Sequence, residues 1–203
     1  MPNPSPRSEF ATVVSGVPRS GTSLMMQMLA AGGIELLVDS ERAPDAGNPL
    51  GYFEYLPVKR LRDEKSWFPE AVGRAVKVVY ALLKALPEDV AARVVFMQRD
   101  LGEVVASQRA LLARSGKLDD VLPPERMIEI FRTQVDETLA WVSQQPRLQL
   151  LEVAHSDTIR DPTSVARAVD AFLGGGLDVR AMAAVPDSAL YRQREGSTAE
   201  RRT

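Results

Sequence analysis

Short runs of β-branched and other apolar residues alternate along the chain with segments whose apolar residues recur at helical spacing. The apolar runs at residues 12–14, 75–79, 93–98 and 149–153 predict buried strands. The segments 22–29, 103–114, 124–145 and 162–173 predict helices, and the third carries Ile128, Phe131 and Val135 on one face. Connections between the strands are long enough for crossovers, so the pattern predicts an α/β fold with a mostly parallel central sheet and helices on both faces.

Weaker patterns predict shorter elements and the limits of the domain. A short strand is expected at residues 34–38, short helices at residues 57–62 and 82–86, and an irregular segment at residues 39–56. Residues 1–9 hold three prolines and little apolar surface, which is typical of a flexible leader. Residues 193–203 are polar and are interpreted as a frayed tail. We therefore expect a single domain over residues 10–192.

Composition narrows the classes of function. The net charge of −2 provides no overall field that would recruit nucleic acid or an anionic membrane. Without cysteine there are no disulfides or thiolate metal sites, and His155 is the only histidine, so a protein-bound transition metal is not expected. Apolar runs stay short of the roughly 20 residues of a membrane span. A soluble cytoplasmic protein is expected, and its oligomeric state stays open, with a homodimer as one candidate.

The clearest local signal is a strand, a tight loop and a helix over residues 12–29. Gly16 and Gly21 bound the loop and allow backbone conformations that turn several N–H groups inward. The first turn of the following helix adds unpaired donors and a partial positive charge, and Thr22 and Ser23 add hydroxyl groups. Because the Arg19 guanidinium can also grip a tetrahedral anion, the loop predicts a site for a phosphate or sulfate group.

The identity of the residues in the loop separates two kinds of phosphate site. The spacing of the two glycines is that of a phosphate loop, but Thr22 stands where a nucleoside triphosphatase has lysine. Residues 18–23, with the sequence PRSGTS, resemble the 5′-phosphosulfate loop of sulfotransferases, which use 3′-phosphoadenosine 5′-phosphosulfate (PAPS). The resemblance implies a three-layer fold of the P-loop NTPase type. It also implies that five residues bind the cofactor: Arg19, Ser20, Gly21, Thr22 and Ser23.

A second cofactor-binding element follows the third predicted strand. Arg99 stands at the carboxyl end of that strand, where open α/β sheets bind ligands, and Ser107 lies about two helical turns further on. An arginine and a serine at this separation resemble the pair that holds the 3′-phosphate in sulfotransferases. The resemblance therefore implies that Arg99 and Ser107 bind the cofactor.

Other segments extend the resemblance over nearly the whole chain, to a compact bacterial type of sulfotransferase. Lys77 matches the lysine of the Lys-Thr-His strand of the cytosolic enzymes, whereas Val79 replaces their catalytic histidine. Residues 48–54, 150–162 and 190–194 also resemble elements of the bacterial group.

Sulfuryl transfer requires neutralisation of the leaving phosphate, positioning of the sulfuryl oxygens and removal of a proton from the acceptor. Arg19 can serve the first need and Lys77 the second. Glu54 is the leading candidate for the base because its glycine and aromatic neighbours favour burial, with Asp39, Glu41 and His155 as the other candidates. The acceptor is expected to be a small molecule with a hydroxyl or amine, and no metal is expected.

Two alternatives stay open at this point. One is a nucleotide kinase or other phosphoryl transferase on the same fold, and the other is a non-catalytic nucleotide-binding protein that has lost its base. Relative binding of 3′-phosphoadenosine 5′-phosphate (PAP), AMP and ATP distinguishes a site for the 3′-phosphate from a kinase site.

Overall fold

The computed structural model describes residues 6–39, 52–114 and 122–186. Its sheet contains four strands, β1 (Ala11–Gly16), β2 (Ala75–Lys77), β3 (Ala92–Gln98) and β4 (Leu148–Ala154), in the order β2-β1-β3-β4 with every pairing parallel. The helices are α1 (Thr22–Ala31), α2 (Leu101–Arg114), α3 (Pro124–Ser143), α4 (His155–Arg160), α5 (Pro162–Phe172) and α6 (Val179–Ala183). The predicted α/β architecture is confirmed.

Apolar residues on both faces of the sheet explain why helices cover both sides. Val13, Val94 and Phe96 are buried on the face that packs against α2 and α3. Val14 and Val95 are buried on the opposite face, together with apolar residues of α1, α5 and α6. Strands that are buried on both faces favour continuous apolar runs, which is the pattern that the sequence shows.

The register brings the carboxyl ends of the strands to one edge of the sheet. Gly16 of β1 pairs with Met97 of β3, and Val14 pairs with Lys77 at the end of β2. In the same register Gln98 pairs with Ala154 at the end of β4. The segments that follow all four strands therefore start at this edge, which is where the candidate site lies.

Several short elements differ from the sequence prediction. Residues 34–38 form one isolated parallel bridge, between Leu36 and Ala75, instead of a strand. The predicted strand at residues 75–79 ends at Lys77. Leu56–Arg60 and Tyr80–Ala85 are 3-10 helices where short helices were expected. These segments are too short to be specified by local propensity, so tertiary contacts set their geometry.

The amino-terminal segment is attached to the rest of the fold. Pro6–Glu9 form a 3-10 helix within the segment predicted to be a flexible leader. Arg7 Nη1 donates a hydrogen bond of 2.6 Å to the carbonyl oxygen of Gly175. The described part of the leader is therefore folded, and the predicted tail at residues 193–203 lies outside the described residues.

Candidate active site at the carboxyl edge of the sheet

The loop between β1 and α1 depends on two glycines with positive φ. Gly16 has φ +149°, and a Cβ there would lie 2.7 Å from the carbonyl oxygen of Met97 on the neighbouring strand. Gly21 has φ +99°, and a Cβ there would lie 2.4 Å from Cδ2 of His155. Any other residue would clash at either position, so the glycines allow the loop to lie close to β3 and to His155.

Arg19 is held in a left-handed conformation, with φ +81°. A residue with a side chain is strained there by about 1–3 kcal/mol, and such strain persists only where surrounding contacts enforce it. Arg99 Nη1 donates to the carbonyl oxygen of Arg19 at 3.2 Å, and Gln108 Nε2 donates to that of Pro18 at 2.9 Å. Arg19 Nε donates to Ser107 Oγ at 3.0 Å. The β3–α2 region therefore fixes both the backbone and the side chain of the loop arginine.

The start of α1 presents donors next to Arg19. Gly21 is the N-cap residue and has no side chain that could cap the helix, and the first helical bond runs from the Met25 N–H to the Gly21 carbonyl. The N–H groups of residues 22–24 precede that bond. Ser20 is 1% exposed, and its hydroxyl has no hydrogen-bond partner in residues 6–39, 52–114 and 122–186. This hydroxyl lies 2.4 Å from where a Cβ on Gly16 would be, within the loop.

Arg99 and Glu103 form a buried ion pair beside the loop. The Nε–Oε2 distance is 2.8 Å, and the two side chains are 11% and 8% exposed. Asp100 Oδ1 accepts a hydrogen bond of 2.9 Å from the Glu103 N–H, which stabilises the first turn of α2. The predicted placement of Arg99 at the same sheet edge as Gly16 is confirmed, because Arg99 contacts the loop that Gly16 begins. Its proposed partner Ser107 is also in contact with that loop.

His155 lies below the loop, at the junction of β4 and α4. It is 6% exposed, and its ring faces Gly21. Burial, followed by the nearby charge of Arg99, lowers the pKa of His155 from its ordinary 6.5 to about 4, while the Glu103 carboxylate opposes the shift. The imidazole is therefore neutral at pH 7 and a weak base. The His155 ring packs against Gly21 and thereby supports the loop.

A second group of residues surrounds Lys77 at the end of β2. Lys77 Nζ donates to the carbonyl oxygen of Tyr52, which also accepts a hydrogen bond of 3.4 Å from Ser23 Oγ. Phe53, the next residue, has φ +50°. The segment that leads to Glu54 is thus attached to both β2 and α1.

Asp39 fixes the same segment from the other side. Its N–H donates to the carbonyl oxygen of Glu54 at 2.9 Å, and its carboxylate accepts a hydrogen bond from the Leu56 N–H. Asp39 therefore positions the backbone around Glu54. The Glu54 carboxylate itself lies 3.9 Å from Lys59 Nζ. Glu41, the remaining candidate base, lies outside the described residues, as do residues 48–51 and 190–194.

A cleft of ≈ 290 Å³ lies between the loop and the segment that carries Glu54. Arg19 lines it from the loop and Thr22 from the start of α1. Glu54 and Lys59 line it from the segment after residue 51, and Lys77 lines it from β2. The cleft therefore brings together the three residues predicted to be catalytic, Arg19, Lys77 and Glu54. Within the described residues, no group of three or more histidine and carboxylate side chains is arranged to hold a metal ion.

Sequence reasoning missed several residues of the site. On α2, Leu111 follows Ser107 by one helical turn, which was a usable signal for a shared face, whereas Gln108 is the next residue and had none. Lys59 and the Tyr52 carbonyl had no such signal, since their positions depend on contacts across the cleft.

No helix in residues 6–39, 52–114 and 122–186 is both long and apolar enough to cross a bilayer.

Comparison with known proteins identifies the fold. No protein-family model matches the sequence, and no curated protein matches it either. The structure is similar to that of a mouse sulfotransferase complexed with PAP, with a TM-score of 0.56 and 16% identity over 88% of this chain. A sulfotransferase from Mycobacterium avium gives a TM-score of 0.54 at 15% identity over 87% of this chain, and one from Alicyclobacillus acidocaldarius gives 0.50 at 16% over 88%. The fold is therefore that of sulfotransferases, as the loop sequence predicted.

The chain is shorter than these structural neighbours. The alignment covers 63% of the mouse protein, 66% of the Mycobacterium protein and 84% of the Alicyclobacillus protein.

Proposed function

We propose that this protein is a sulfotransferase that moves a sulfuryl group from PAPS to a hydroxyl or amine of a small-molecule acceptor. The observation that carries the proposal is the position of Arg19. Its guanidinium donates to Ser107 of α2, its carbonyl oxygen accepts from Arg99, and the residue lines the same cleft as Lys77 and Glu54. A fixed cation beside a cleft is what transfer between a nucleotide and a second substrate requires.

The loop suits the phosphosulfate group of PAPS. The buried Ser20 hydroxyl lacks a partner in the described parts of the chain, and buried polar groups in native proteins are almost always satisfied. The adjacent N–H groups of α1 favour an anion. We assign the 5′-phosphosulfate to Ser20, Gly21, Thr22 and Ser23, with Arg19 on the leaving oxygen.

The 3′-phosphate is assigned to Arg99 and Ser107. Both residues contact Arg19 directly, so the two ends of the nucleotide would bind to one connected group of side chains. The Arg99–Glu103 pair keeps the guanidinium oriented in a buried position.

PAPS supplies an activated sulfuryl group, and the residues of this chain supply charge, orientation and a base. Glu54 takes the acceptor proton while a new bond forms between sulfur and the acceptor atom. Arg19 stabilises the charge on the 5′-phosphate oxygen as its bond to sulfur breaks, and PAP is the product that leaves. Lys77 orients the sulfuryl oxygens.

A non-catalytic nucleotide-binding protein is a second candidate because of one observation. Val79 lines the cleft in the position where the cytosolic enzymes have their histidine. If no residue of the site acts as the base, the site binds the nucleotide without transferring the group.

The test is calorimetric titration of the purified protein with PAP, AMP and ATP–Mg²⁺, followed by transfer of radiolabelled sulfate from PAPS. PAP should bind at least about tenfold more tightly than AMP or ATP, since only PAP occupies the 3′-phosphate site. Arg19→Ala should weaken the binding of PAP by about tenfold or more. Arg126→Ala, which removes an exposed arginine of α3, serves as the control.

Three outcomes have different meanings. A preference for ATP with magnesium would replace the proposal with phosphoryl transfer. PAP binding without transfer to any acceptor would favour the non-catalytic alternative. Transfer is expected to continue in EDTA, because the phosphosulfate carries less charge than a triphosphate and Arg19 supplies a cation.

A further inference from the structure

The backbone carbonyl of Tyr52 is held by two side chains of the candidate site. Lys77 Nζ donates to it from the end of β2, and Ser23 Oγ donates to it at 3.4 Å from the first turn of α1. Tyr52 is 7% exposed, so these contacts lie in the interior of the protein. The two donors therefore attach residue 52 to both β2 and α1.

The same two donors serve the phosphosulfate in the proposed reaction. Because a hydroxyl carries a single proton, Ser23 donates either to the Tyr52 carbonyl or to the nucleotide. A hydroxyl bond to an anionic oxygen is roughly twice as strong as one to a neutral carbonyl. The ammonium of Lys77 likewise gains from pairing with an anion. The nucleotide is therefore expected to take both donors away from Tyr52.

The segment that follows Tyr52 is strained and carries the proposed base. Phe53 has φ +50°, a left-handed conformation that persists for such a residue only where contacts enforce it. On the far side, the Asp39 N–H donates to the Glu54 carbonyl at 2.9 Å, and the Asp39 carboxylate accepts from the Leu56 N–H. Phe53 is thus held between one attachment at Tyr52 and another at Asp39. Release of Tyr52 lets Phe53 relax while Asp39 keeps the other end in place.

We propose that the Tyr52 carbonyl makes an autoinhibitory contact, which occupies Ser23 and Lys77 until the nucleotide binds. Transfer of the two donors to the phosphosulfate releases residues 52–54, and Glu54 then moves from its tethered position toward the acceptor. The base is therefore positioned for transfer only when PAPS is bound. This inference rests on the proposed sulfotransferase function, since it requires a nucleotide at the start of α1.

Hydrogen–deuterium exchange of the whole chain tests the autoinhibitory contact. Mass spectrometry follows peptides that cover residues 52–58, without ligand and with saturating AMP, PAP or PAPS. A ligand normally slows exchange across a fold, because it stabilises the folded state. In residues 52–58 PAPS should instead speed exchange by about tenfold, as expected for the loss of two hydrogen bonds. PAP and AMP should each speed it by about threefold, since their 5′-phosphate engages Ser23 but they carry no sulfuryl group for Lys77.

Two variants separate the contributions of the donors. Lys77→Met removes the ammonium, so residues 52–58 should exchange at least about threefold faster than in the wild type before any ligand is added. Ser23→Ala removes the hydroxyl and should abolish the increase that PAP causes. The matched controls should behave as the wild type. Lys84→Met changes an exposed lysine of a 3-10 helix, and Ser143→Ala removes another hydroxyl that donates to a backbone carbonyl.

The outcomes separate the two proposals. Absence of binding of PAP and PAPS would overturn the sulfotransferase function. Nucleotide binding with slower or unchanged exchange in residues 52–58 would overturn the autoinhibitory contact alone. Wild-type exchange in the ligand-free Lys77→Met protein would also overturn it, because the ammonium would then not hold the segment.

Discussion

Arg19 is the residue where backbone strain and charge coincide. Its left-handed φ of +81° is stabilised by the hydrogen bond from Arg99 to its carbonyl, and its side chain is directed to Ser107. Strain of this kind is tolerated where a fixed geometry is useful. His155 contributes from below by packing against Gly21, where only a glycine fits. Because this packing buries the imidazole, His155 reports on the integrity of the loop.

The titration of His155 gives a prediction at this scale. Its pKa is lowered to about 4 in the folded protein, so between about pH 4 and 6.5 the unfolded chain binds more protons than the folded one. The His155 titration therefore leaves the free energy of unfolding unchanged above pH 6.5. As the pH falls toward 4, it lowers that free energy by about 3 kcal/mol. Denaturant unfolding of the wild type should show this loss relative to His155→Gln, in which the other titrating groups near the ring, Arg99 and Glu103, are unchanged.

The measurement has a direct check. The chain contains one histidine, so a single imidazole signal can be followed by NMR through the titration. A midpoint near the ordinary value of 6.5 would mean that the ring is solvated and does not support the loop.

Among the elements, the junction of β3 and α2 organises the site. Arg99 begins the junction, Asp100 caps α2, and Glu103 pairs with Arg99 one turn later. The sequence could predict this strand–helix junction, because a continuous apolar run is followed at once by polar residues and a helical pattern. It could not predict that Arg99 also bonds the Arg19 carbonyl, because that contact joins residues 80 apart.

The elements around Lys77 were less predictable for a physical reason. The run at residues 75–79 looks like one strand, but β2 ends at Lys77 and a 3-10 helix starts at Tyr80. The left-handed Phe53 and the bond from Lys77 to Tyr52 depend on how the chain returns across the cleft. Local sequence patterns carry no information on such long-range contacts. The spacing of the two glycines, in contrast, does indicate the geometry of the loop between β1 and α1.

The double role of Arg99 leads to a prediction for this junction. Arg99→Ala alone would leave the buried Glu103 carboxylate unpaired, so the change is made in a Glu103→Gln background and compared with Glu103→Gln. Loss of the bond to the Arg19 carbonyl should loosen the loop and weaken the binding of AMP by about tenfold. The affinity for PAP should fall further, by about a hundredfold, because its 3′-phosphate also loses a contact. Calorimetry that finds AMP affinity unchanged would show that Arg99 does not hold the loop.

At the scale of the whole molecule, the site joins every layer of the fold. The loop follows β1 and is contacted by residues of α2 and by His155 at the end of β4, while Lys77 brings in β2. The α/β class and the edge that carries the site follow from the alternation of strands and helices. The cleft does not, because the apolar side chains that line it come from separate segments, including residues 52–58 and Leu111.

This connectivity predicts that the nucleotide stabilises the whole described fold. A ligand at about 100 times its Kd adds about 2.7 kcal/mol to the free energy of unfolding, and for a domain of this size that raises Tm by about 5–10 °C. PAP should produce such a shift in a thermal melt, AMP at the same concentration a smaller one, and Arg19→Ala should remove most of the PAP shift at that concentration. Because the loop contacts β1, α2 and the β4–α4 junction, tryptophan fluorescence and far-ultraviolet circular dichroism should report the same increase. An increase seen by one probe alone would mean that the site is coupled to only part of the fold, and equal shifts with PAP and AMP would remove the argument for a 3′-phosphate site at Arg99 and Ser107.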